Sequence, residues 1–316
     1  MTARAIPILD DAQWRGLRSQ HVGGSEVAAL FGEHAQLTAF ELWHRKKGLL
    51  PEPDLSDNDR VFWGSCLEPA IANGVAAKTG WDVWKVGEYH SARPELGLGG
   101  SLDYKVVGQD RGPGVLEIKT ADWLVAKRWH KGEPPLSYML QIQSYLALTG
   151  WSWGCMAVLV GGNDLRLFES DRRPNTISII KKRVAEFWRS IEANEPPKPD
   201  FGADHDAIAA LYGTAETGKV IDLSSSNRLP ELIAEYQDAA ARKRESEKAA
   251  KAAKAEIHSL LGDAEIAICG EYRIKAHMVA GSPGRTIETK DIGQTIGGRE
   301  GYRGLLISKQ ERITSE

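Results

Sequence analysis

The chain has 316 residues, of which 42% are hydrophobic and 26% charged, with a formal net charge of −3. This composition is typical of a globular protein, and the small net charge excludes a global attraction to polyanions, so nucleic-acid binding would depend on local basic patches. No apolar run approaches the roughly 20 residues of a membrane span, and three cysteines are too few for a disulfide framework or a four-cysteine cluster, so we expect a cytoplasmic protein without a membrane segment.

Four helices are predicted in the first two thirds of the chain. Their ranges are 38–47, 60–79, 136–148 and a stretch that runs from 180 to 191. The first has a capping-box pattern, with Thr38 as N-cap and Glu41 three residues later. The second contains Pro69, which cannot donate a hydrogen bond to the preceding turn and is expected to bend the helix.

Strands are predicted between these helices from their content of β-branched and aromatic residues. Their ranges are 82–89, 99–107, 114–120, 155–160 and 165–169. The order of helices and strands predicts an α/β fold, with a central mixed sheet flanked by helices.

The chain is predicted to divide near residue 200. All ten tryptophans lie between Trp14 and Trp188, which places the large aromatic core in residues 1–200. A proline-rich stretch follows and a serine-rich stretch precedes the next helix, so 201–229 is predicted as a linker. Residues 230–316 form a C-terminal extension of undetermined role, with a helix over 230–261 and short strands over 265–279 and 302–307.

The stretch G-V-L-E-I-K-T, residues 114–120, places an acid and a base on one face of a strand. Alternate residues of a strand share a face, so Glu117 and Lys119 point the same way. Such a pair alone is more often a solvated charge pair. Asp103 precedes it by a short turn, so a hairpin could bring Asp103 and Glu117 together. Two converging carboxylates suit Mg²⁺, and Lys119 could reach the attacking water or a phosphate oxygen in phosphodiester hydrolysis.

An aspartate followed after a turn by E-x-K resembles the active-site pattern of the PD-(D/E)XK nuclease superfamily. Four further segments occur in the matching order: W-R-G-L-R-S-Q-H-V-G-G-S-E-V-A-A-L-F-G, F-E-L-W-H-R-K-K-G-L-L, W-G-S-C-L-E-P and Y-M-L-Q-I-Q-S-Y. Together, over about residues 10–195, they resemble the lambda-exonuclease family, also described as YqaJ-like viral recombinase nucleases. The visible departure is Leu102, where the family often has a proline that shapes the turn but supplies no ligand.

The resemblance implies a PD-(D/E)XK exonuclease domain over residues 1–200 with a metal centre. The metal ligands would be Asp103, Glu117 and the backbone carbonyl of Ile118. Glu68 would be an additional ligand or an acid that orients water. The implied cofactor is Mg²⁺, with Mn²⁺ as an alternative, bound as two ions.

The resemblance also implies which residues handle the substrate. Lys119 would assist the nucleophilic water, and the amide of Gln141 would hold that water or the scissile phosphate. Arg18 and Ser25 match residues that hold a terminal 5′-phosphate, and Ser101 would join them; a guanidinium has the forked donors that a phosphate monoester favours. Without the resemblance, Arg18 and Ser25 would be interpreted as a surface arginine and a helix cap.

The activity implied by the resemblance is 5′-to-3′ digestion of one strand of linear double-stranded DNA, which leaves 3′ single-stranded overhangs. Such an enzyme would act on DNA ends in phage or prophage recombination, in the cytoplasm of a bacterial host. A single-strand annealing protein would be its partner, and a ring-shaped homotrimer its assembly.

Two other functions remain open on the sequence. One is a PD-(D/E)XK endonuclease or repair nuclease, which would cut closed circular DNA that an end-dependent enzyme leaves intact. The other is a DNA-binding scaffold without turnover, against which the presence of all the expected polar residues argues. Those residues are Glu68, Asp103, Glu117 and Lys119.

Overall fold

The computed structural model describes residues 3–108, 111–129, 132–269 and 272–275. The chain divides into two compact units, Met1–Tyr212 and Gly213–Glu316. In chain order the described elements of the first unit are β1 (Arg4–Pro7), α1 (Asp11–Ser19), β2 (Val22–Gly23), a 3₁₀ helix (Val27–Phe31), α2 (Ala39–Lys46), α3 (Asp59–Thr79), β3 (Asp82–Lys85), β4 (Glu88–Ser91), β5 (Leu98–Ser101), β6 (Tyr104–Gly108), β7 (Gly112–Ala121), α4 (Trp123–Lys127), α5 (Leu136–Thr149), β8 (Trp153–Val160), β9 (Asp164–Asp171), α6 (Pro174–Ala193) and α7 (His205–Leu211).

The central sheet has the strand order β3-β6-β7-β8-β9. It is mixed, because β7 is antiparallel to β6 and parallel to β8. Alternate residues of β7 pack on opposite layers: Leu116 shares a hydrophobic cluster with Val75 of α3, whereas Val115 shares another with Ile142 of α5. Both faces of β7 are therefore covered by helices, and the predicted α/β class with a helix-flanked mixed sheet is confirmed.

A second sheet has the order β1-β4-β5-β2, and it corrects two strand predictions. Residues 82–89 and 99–107 were each predicted as one strand, but each divides between the two sheets. The chain leaves the central sheet at Gly87 and returns to it at Leu102 and Asp103. Leu102 is buried, and the Asp103 carbonyl accepts a hydrogen bond from Val86 N. Because strand-forming residues flank both breaks closely, composition did not reveal them.

The predicted helices lie close to their predicted ranges. Asn58 caps α3 by accepting from Arg60 N and Val61 N, and Pro69 lies inside that helix. In α6, Ile180, Val184 and Phe187 are buried on one face, as their spacing predicted.

The segment after residue 200 differs from the predicted linker, because α7 packs on the first unit. Ala207 shares a hydrophobic cluster with Phe40 of α2 and with Leu50. Asp204, which precedes α7, is buried and accepts a hydrogen bond from Thr38 Oγ1 at 2.5 Å. These contacts explain why the first unit extends to Tyr212.

The second unit contains the long helix α8 (Arg228–Leu261) and an antiparallel hairpin of β10 (Ile266–Cys269) and β11 (Tyr272–Lys275). These elements match the predicted helix-plus-short-strands extension, while the strand predicted at 302–307 lies outside the described residues. Among the described residues, no helix is both long and apolar enough to cross a membrane.

Replacement of Thr38 tests the attachment of α7. The Thr38 hydroxyl accepts from Glu41 N at 3.0 Å and donates to the carboxylate of buried Asp204. Thr38→Ala removes the cap of α2 and a donor to a buried charge, so we expect the free energy of unfolding to fall by about 1–3 kcal/mol. Thr38→Ser, which keeps the oxygen, should remain near the parent in urea denaturation. Equal losses in both variants would contradict this role.

Candidate active site

The predicted acid and base pair lies on β7 beside the end of β6. The register pairs Tyr104 of β6 with Leu116 of β7, which places Asp103 next to Glu117. Asp103 Oδ2 accepts a hydrogen bond from Ile118 N at 3.0 Å, and Lys119 Nζ donates to Glu117 Oε1 at 2.6 Å. The structure therefore brings together the two carboxylates and the lysine that the sequence singled out.

The carboxylate of Glu117 is buried and only half satisfied. Its side chain is 3% exposed, and Oε1 accepts from both Lys119 Nζ and Gln141 Nε2, the latter at 2.5 Å. Among the described residues, Oε2 has no hydrogen-bond partner. Burial raises the pKa of Glu117 to about 8; the charge of Lys119 opposes this shift and the charge of Asp103 adds to it. The ionised form thus lacks a partner at one oxygen.

A divalent cation fits this arrangement of oxygens. The pairing of β6 with β7 ends at Leu116, and beyond it Ile118 N–H points to the side occupied by Asp103. The N–H and C=O of one strand residue point to the same side, so the Ile118 carbonyl faces Asp103 as well. Within the described part of the chain, no three His, Cys, Asp or Glu side chains group closely enough to hold a metal ion. A metal here would therefore draw on two carboxylates, a carbonyl and water.

Lys119 carries the positive charge of the site. Burial would lower the pKa of Lys119, but the charges of Glu117 and Asp103 outweigh burial and raise it. Its side chain is still 30% exposed, so the ammonium can contact a ligand from solvent. A protonated lysine at this point can stabilise negative charge that develops on a phosphate.

Glu68 of α3 forms an ion pair with Lys85 of β3. Lys85 Nζ also lies 4.8 Å from the centre of the Tyr104 ring. Burial opposes a rise in the pKa of Lys85, but the hydrogen bond to Glu68 and the charges of Glu68 and Asp103 raise it. Glu68 thus lies at the margin of the site, and its predicted use as a ligand would require Lys85 to release it. No sequence motif indicated Lys85, because only tertiary pairing places it there.

The three residues predicted to hold a terminal phosphate line one small pocket. They are Arg18, Ser25 and Ser101, and they share it with Gly23, Gly24, Tyr89, Gly100 and Tyr145. Residues from α1, the loop after β2, β4, β5 and α5 therefore converge on one concave surface.

Two hydroxyls of this pocket can donate to a ligand, because no described residue accepts a hydrogen bond from them. The Trp14 indole N–H, which can only donate, binds Ser101 Oγ at 3.1 Å. Gln141 Nε2 likewise donates to the Tyr145 hydroxyl at 3.1 Å. Since both oxygens act as acceptors in these bonds, their own hydrogens remain available, and the pocket presents donors to whatever binds there.

Arg18 is held by a buried charge network. Glu26 pairs with Arg18 Nη2 at 2.9 Å and with Lys46 Nζ at 2.9 Å, and it accepts from Gly23 N at 2.7 Å. Burial would raise the pKa of Glu26, but the charges of Lys46 and Arg18 and the Gly23 N–H hold it below its usual value. Two cations thus share one anion, which leaves a net positive charge behind the pocket. Neither Glu26 nor Lys46 was assigned a role from the sequence. Glu26 could have been noticed as a charge beside the apolar segment V-A-A-L-F, whereas Lys46 lies in a basic run and gave no such signal.

Tyr145 joins the pocket to the carboxylates. A Cβ on Gly24 would lie 2.5 Å from Tyr145 Cε1, and a Cβ on Gly100 would lie 2.7 Å from it, so both positions require glycine. The Tyr145 hydroxyl accepts from Gln141, which donates to Glu117 as well. The pocket and the carboxylate pair are therefore neighbours, separated by two side chains of α5.

Comparison with known proteins agrees with these motifs. Residues 13–152 match the family model of the YqaJ-like viral recombinase domain. The uncharacterized protein YqaJ of Bacillus subtilis (strain 168) is 29% identical over 266 residues, which cover 83% of this chain and 81% of that protein.

Two solved structures resemble this fold. The alkaline exonuclease LHK-Exo of Laribacter hongkongensis is 23% identical and covers 62% of this chain and 98% of its own, with a TM-score of 0.48. A phage-related exonuclease of Haemophilus somnus 129PT is 16% identical and covers 55% of this chain and 94% of its own, with a TM-score of 0.38.

The resemblance to this family that the sequence predicted is therefore confirmed over residues 13–152 of the first unit. This match supports a nuclease of the lambda-exonuclease type.

The raised pKa of Glu117 predicts how stability changes with pH in the absence of metal. The folded state binds this proton more tightly than the unfolded chain, where glutamate titrates near pH 4.3, so the free energy of unfolding falls as pH rises from about 4.3 to about 8. The glutamine of Glu117→Gln cannot ionise. In EDTA at pH 8.5 the free energy of unfolding of this variant should therefore exceed that of the parent by a few kcal/mol, the order of magnitude that the pKa difference between the folded and unfolded states implies.

Urea denaturation of both proteins between pH 5 and pH 9 measures this difference. The variant Glu33→Gln, at an exposed position, is the control and should follow the parent curve. Parallel curves for the parent and Glu117→Gln would contradict the shifted pKa.

Proposed function

We propose that the chain is a metal-dependent deoxyribonuclease that digests one strand of linear duplex DNA from its 5′ end and leaves a 3′ single-stranded overhang. One observation carries this proposal: a pocket of hydrogen-bond donors around Arg18 lies two side chains away from the carboxylates Asp103 and Glu117. An anchor for a terminal phosphate next to a hydrolytic site suits an enzyme that starts from ends.

In the proposed hydrolytic site, a divalent cation and the protein side chains have separate roles. A divalent cation, Mg²⁺ or Mn²⁺ and in the proposal two ions, would be held by Asp103, Glu117 and the Ile118 carbonyl, with Glu68 in addition, and would polarise the phosphodiester and activate water. The Lys119 ammonium donates to the attacking water or to a phosphate oxygen and offsets developing negative charge. The amide of Gln141, fixed by Glu117 and Tyr145, orients the water or the scissile phosphate.

The donor pocket accounts for direction. Arg18, Ser25 and Ser101 bind the 5′-phosphate through charge-assisted hydrogen bonds. Each cut that leaves a 5′-phosphate on the remaining strand produces a new ligand for the same pocket. Binding of that ligand draws the strand forward, so digestion proceeds from 5′ to 3′. An enzyme that cuts internally has no use for such a pocket.

The biological setting of the proposal follows from the family. A YqaJ-like viral recombinase domain supports a role in phage-type homologous recombination in the cytoplasm of a bacterial host. The 3′ overhang would be passed to a single-strand annealing protein, and a homotrimer around the duplex would keep the enzyme on its substrate. Residues 213–316 then have a role in assembly, DNA guidance or partner recruitment.

Digestion of end-labelled DNA tests the activity. With Mg²⁺, linear duplex labelled at the 5′ end should release its label early, whereas a 3′ label should be retained until late. EDTA should stop the reaction, and a closed circle of the same sequence should remain intact. Asp103→Asn should lower the rate on the order of a hundred- to thousandfold, because it removes a ligand charge.

The matched control is Asp82→Asn, at an exposed position of β3, which should cut at the parent rate. Cutting of the closed circle would instead indicate an endonuclease. Retained DNA binding without cleavage in any metal would indicate a scaffold.

Arg18→Gln tests the phosphate pocket. We expect the parent to prefer 5′-phosphorylated over 5′-hydroxyl ends, and the variant to lose roughly ten- to hundredfold of that preference in kcat/KM, because it removes a charge-assisted donor pair. Arg15→Gln, one turn earlier on α1 and paired with exposed Asp11, is the control. If the parent digests both kinds of end equally fast, the pocket does not serve a terminal phosphate.

A further inference from the structure

Tyr89 of β4 has a buried hydroxyl without a partner. Its side chain is 0% exposed, and its hydroxyl has no hydrogen-bond partner among the described residues. Tyr89 nevertheless lines the pocket that contains Arg18. A buried hydroxyl that makes no hydrogen bond destabilises a folded protein, so its presence here calls for a bound group that satisfies it.

The position of the Tyr89 ring is fixed by its neighbours. The pairing of β4 with β5 places Tyr89 opposite Ser101, which is itself a pocket residue. A Cβ on Gly99 would lie 2.7 Å from Tyr89 Cε1, so the ring packs directly on the β5 backbone. On another side the ring of His21 lies 5.3 Å away, centre to centre. These contacts hold the ring tightly packed at the wall of the pocket.

The hydroxyl keeps its proton and is a donor near neutral pH. Burial raises the pKa of Tyr89 well above its ordinary value, the charge of Glu26 adds to this shift, and the charge of Arg18 opposes it. The phenol therefore keeps its proton. Arg18 can only donate, and the hydroxyls of Ser101 and Tyr145 have hydrogens to spare. The pocket is thus a convergence of donors, which matches the several acceptor lone pairs of a phosphate monoester.

We propose that Tyr89 is a further ligand-binding residue of this pocket, whose hydroxyl donates to the terminal 5′-phosphate and so contributes to discrimination between phosphorylated and hydroxyl ends. The inference rests on the proposed function. Tyr89 lies outside the sequence segments that resemble the family. A 5′-hydroxyl end supplies no acceptor to this donor, so the contribution appears only with phosphorylated DNA.

Tyr89→Phe tests the inference, since it removes one oxygen and keeps the ring. Because no described residue forms a hydrogen bond to that oxygen, the melting temperature should be unchanged or higher. The ratio of kcat/KM for 5′-phosphorylated to 5′-hydroxyl duplex should fall roughly ten- to hundredfold, as expected for loss of a hydrogen bond to a charged group. Tyr236→Phe, at an exposed position on α8, is the control and should keep the parent ratio.

Binding provides a second readout that does not depend on cleavage. Asp103→Asn and the double variant Asp103→Asn/Tyr89→Phe are titrated in EDTA with fluorescent duplexes that carry either a 5′-phosphate or a 5′-hydroxyl. Relative to Asp103→Asn, the double variant should show a smaller ratio of affinities for 5′-phosphorylated and 5′-hydroxyl duplex. The factor of this decrease should equal the factor by which Tyr89→Phe lowers the ratio of kcat/KM.

The outcomes separate the two proposals. If the parent discriminates between the ends and Tyr89→Phe discriminates equally well, the role of Tyr89 is overturned and the pocket stands. If the parent does not discriminate at all, the terminal-phosphate pocket and the role of Tyr89 fail together. A lowered melting temperature with an unchanged ratio would indicate a packing role and would likewise overturn the inference.

Discussion

The burial of the Glu117 carboxylate is the constraint on which the site depends. Glu117 lies in the middle of β7, a strand covered by α3 on one face and α5 on the other, where water cannot solvate a charge. Lys119 and Gln141 satisfy one oxygen, and the other has no partner among the described residues. A cation at this oxygen would satisfy it, so the burial that destabilises the metal-free fold would favour binding of the divalent ion that we propose.

Local pattern predicted much of this arrangement. Alternation along residues 114–120 put Glu117 and Lys119 on one face, because the side chains of a strand alternate. The capping pattern at Thr38 marked the start of α2, since a side-chain oxygen there satisfies a free N–H of the first turn. Asp103 could be placed beside Glu117 because two strands joined by a short turn usually pair as a hairpin. In each case the determinant lies within a few residues of the position that it fixes.

The remaining features depend on contacts between distant segments. The division of 82–89 and 99–107 between two sheets is decided by which strands they pair with, and both halves of each segment have strand-like composition. The pairing of Glu26 with Lys46 and of Glu68 with Lys85 joins separate elements. The sequence around Tyr89 is that of an ordinary core residue, and only the structure shows that its hydroxyl has no hydrogen-bond partner among the described residues. Tertiary packing, which no local pattern encodes, determines these strand pairings and side-chain contacts.

At Leu102 the chain crosses from the second sheet to the central sheet, and this crossing affects how the site assembles during folding. Ser101 ends a strand of the second sheet and Asp103 precedes a strand of the central sheet, so the two residues at either side of Leu102 belong to different halves of the site. A chain in which only one sheet has formed holds either the donor pocket or the carboxylates, but not both. Under the proposed function, end-directed cleavage would therefore require both sheets of the first unit to form, because the pocket selects the end and the carboxylates act on it.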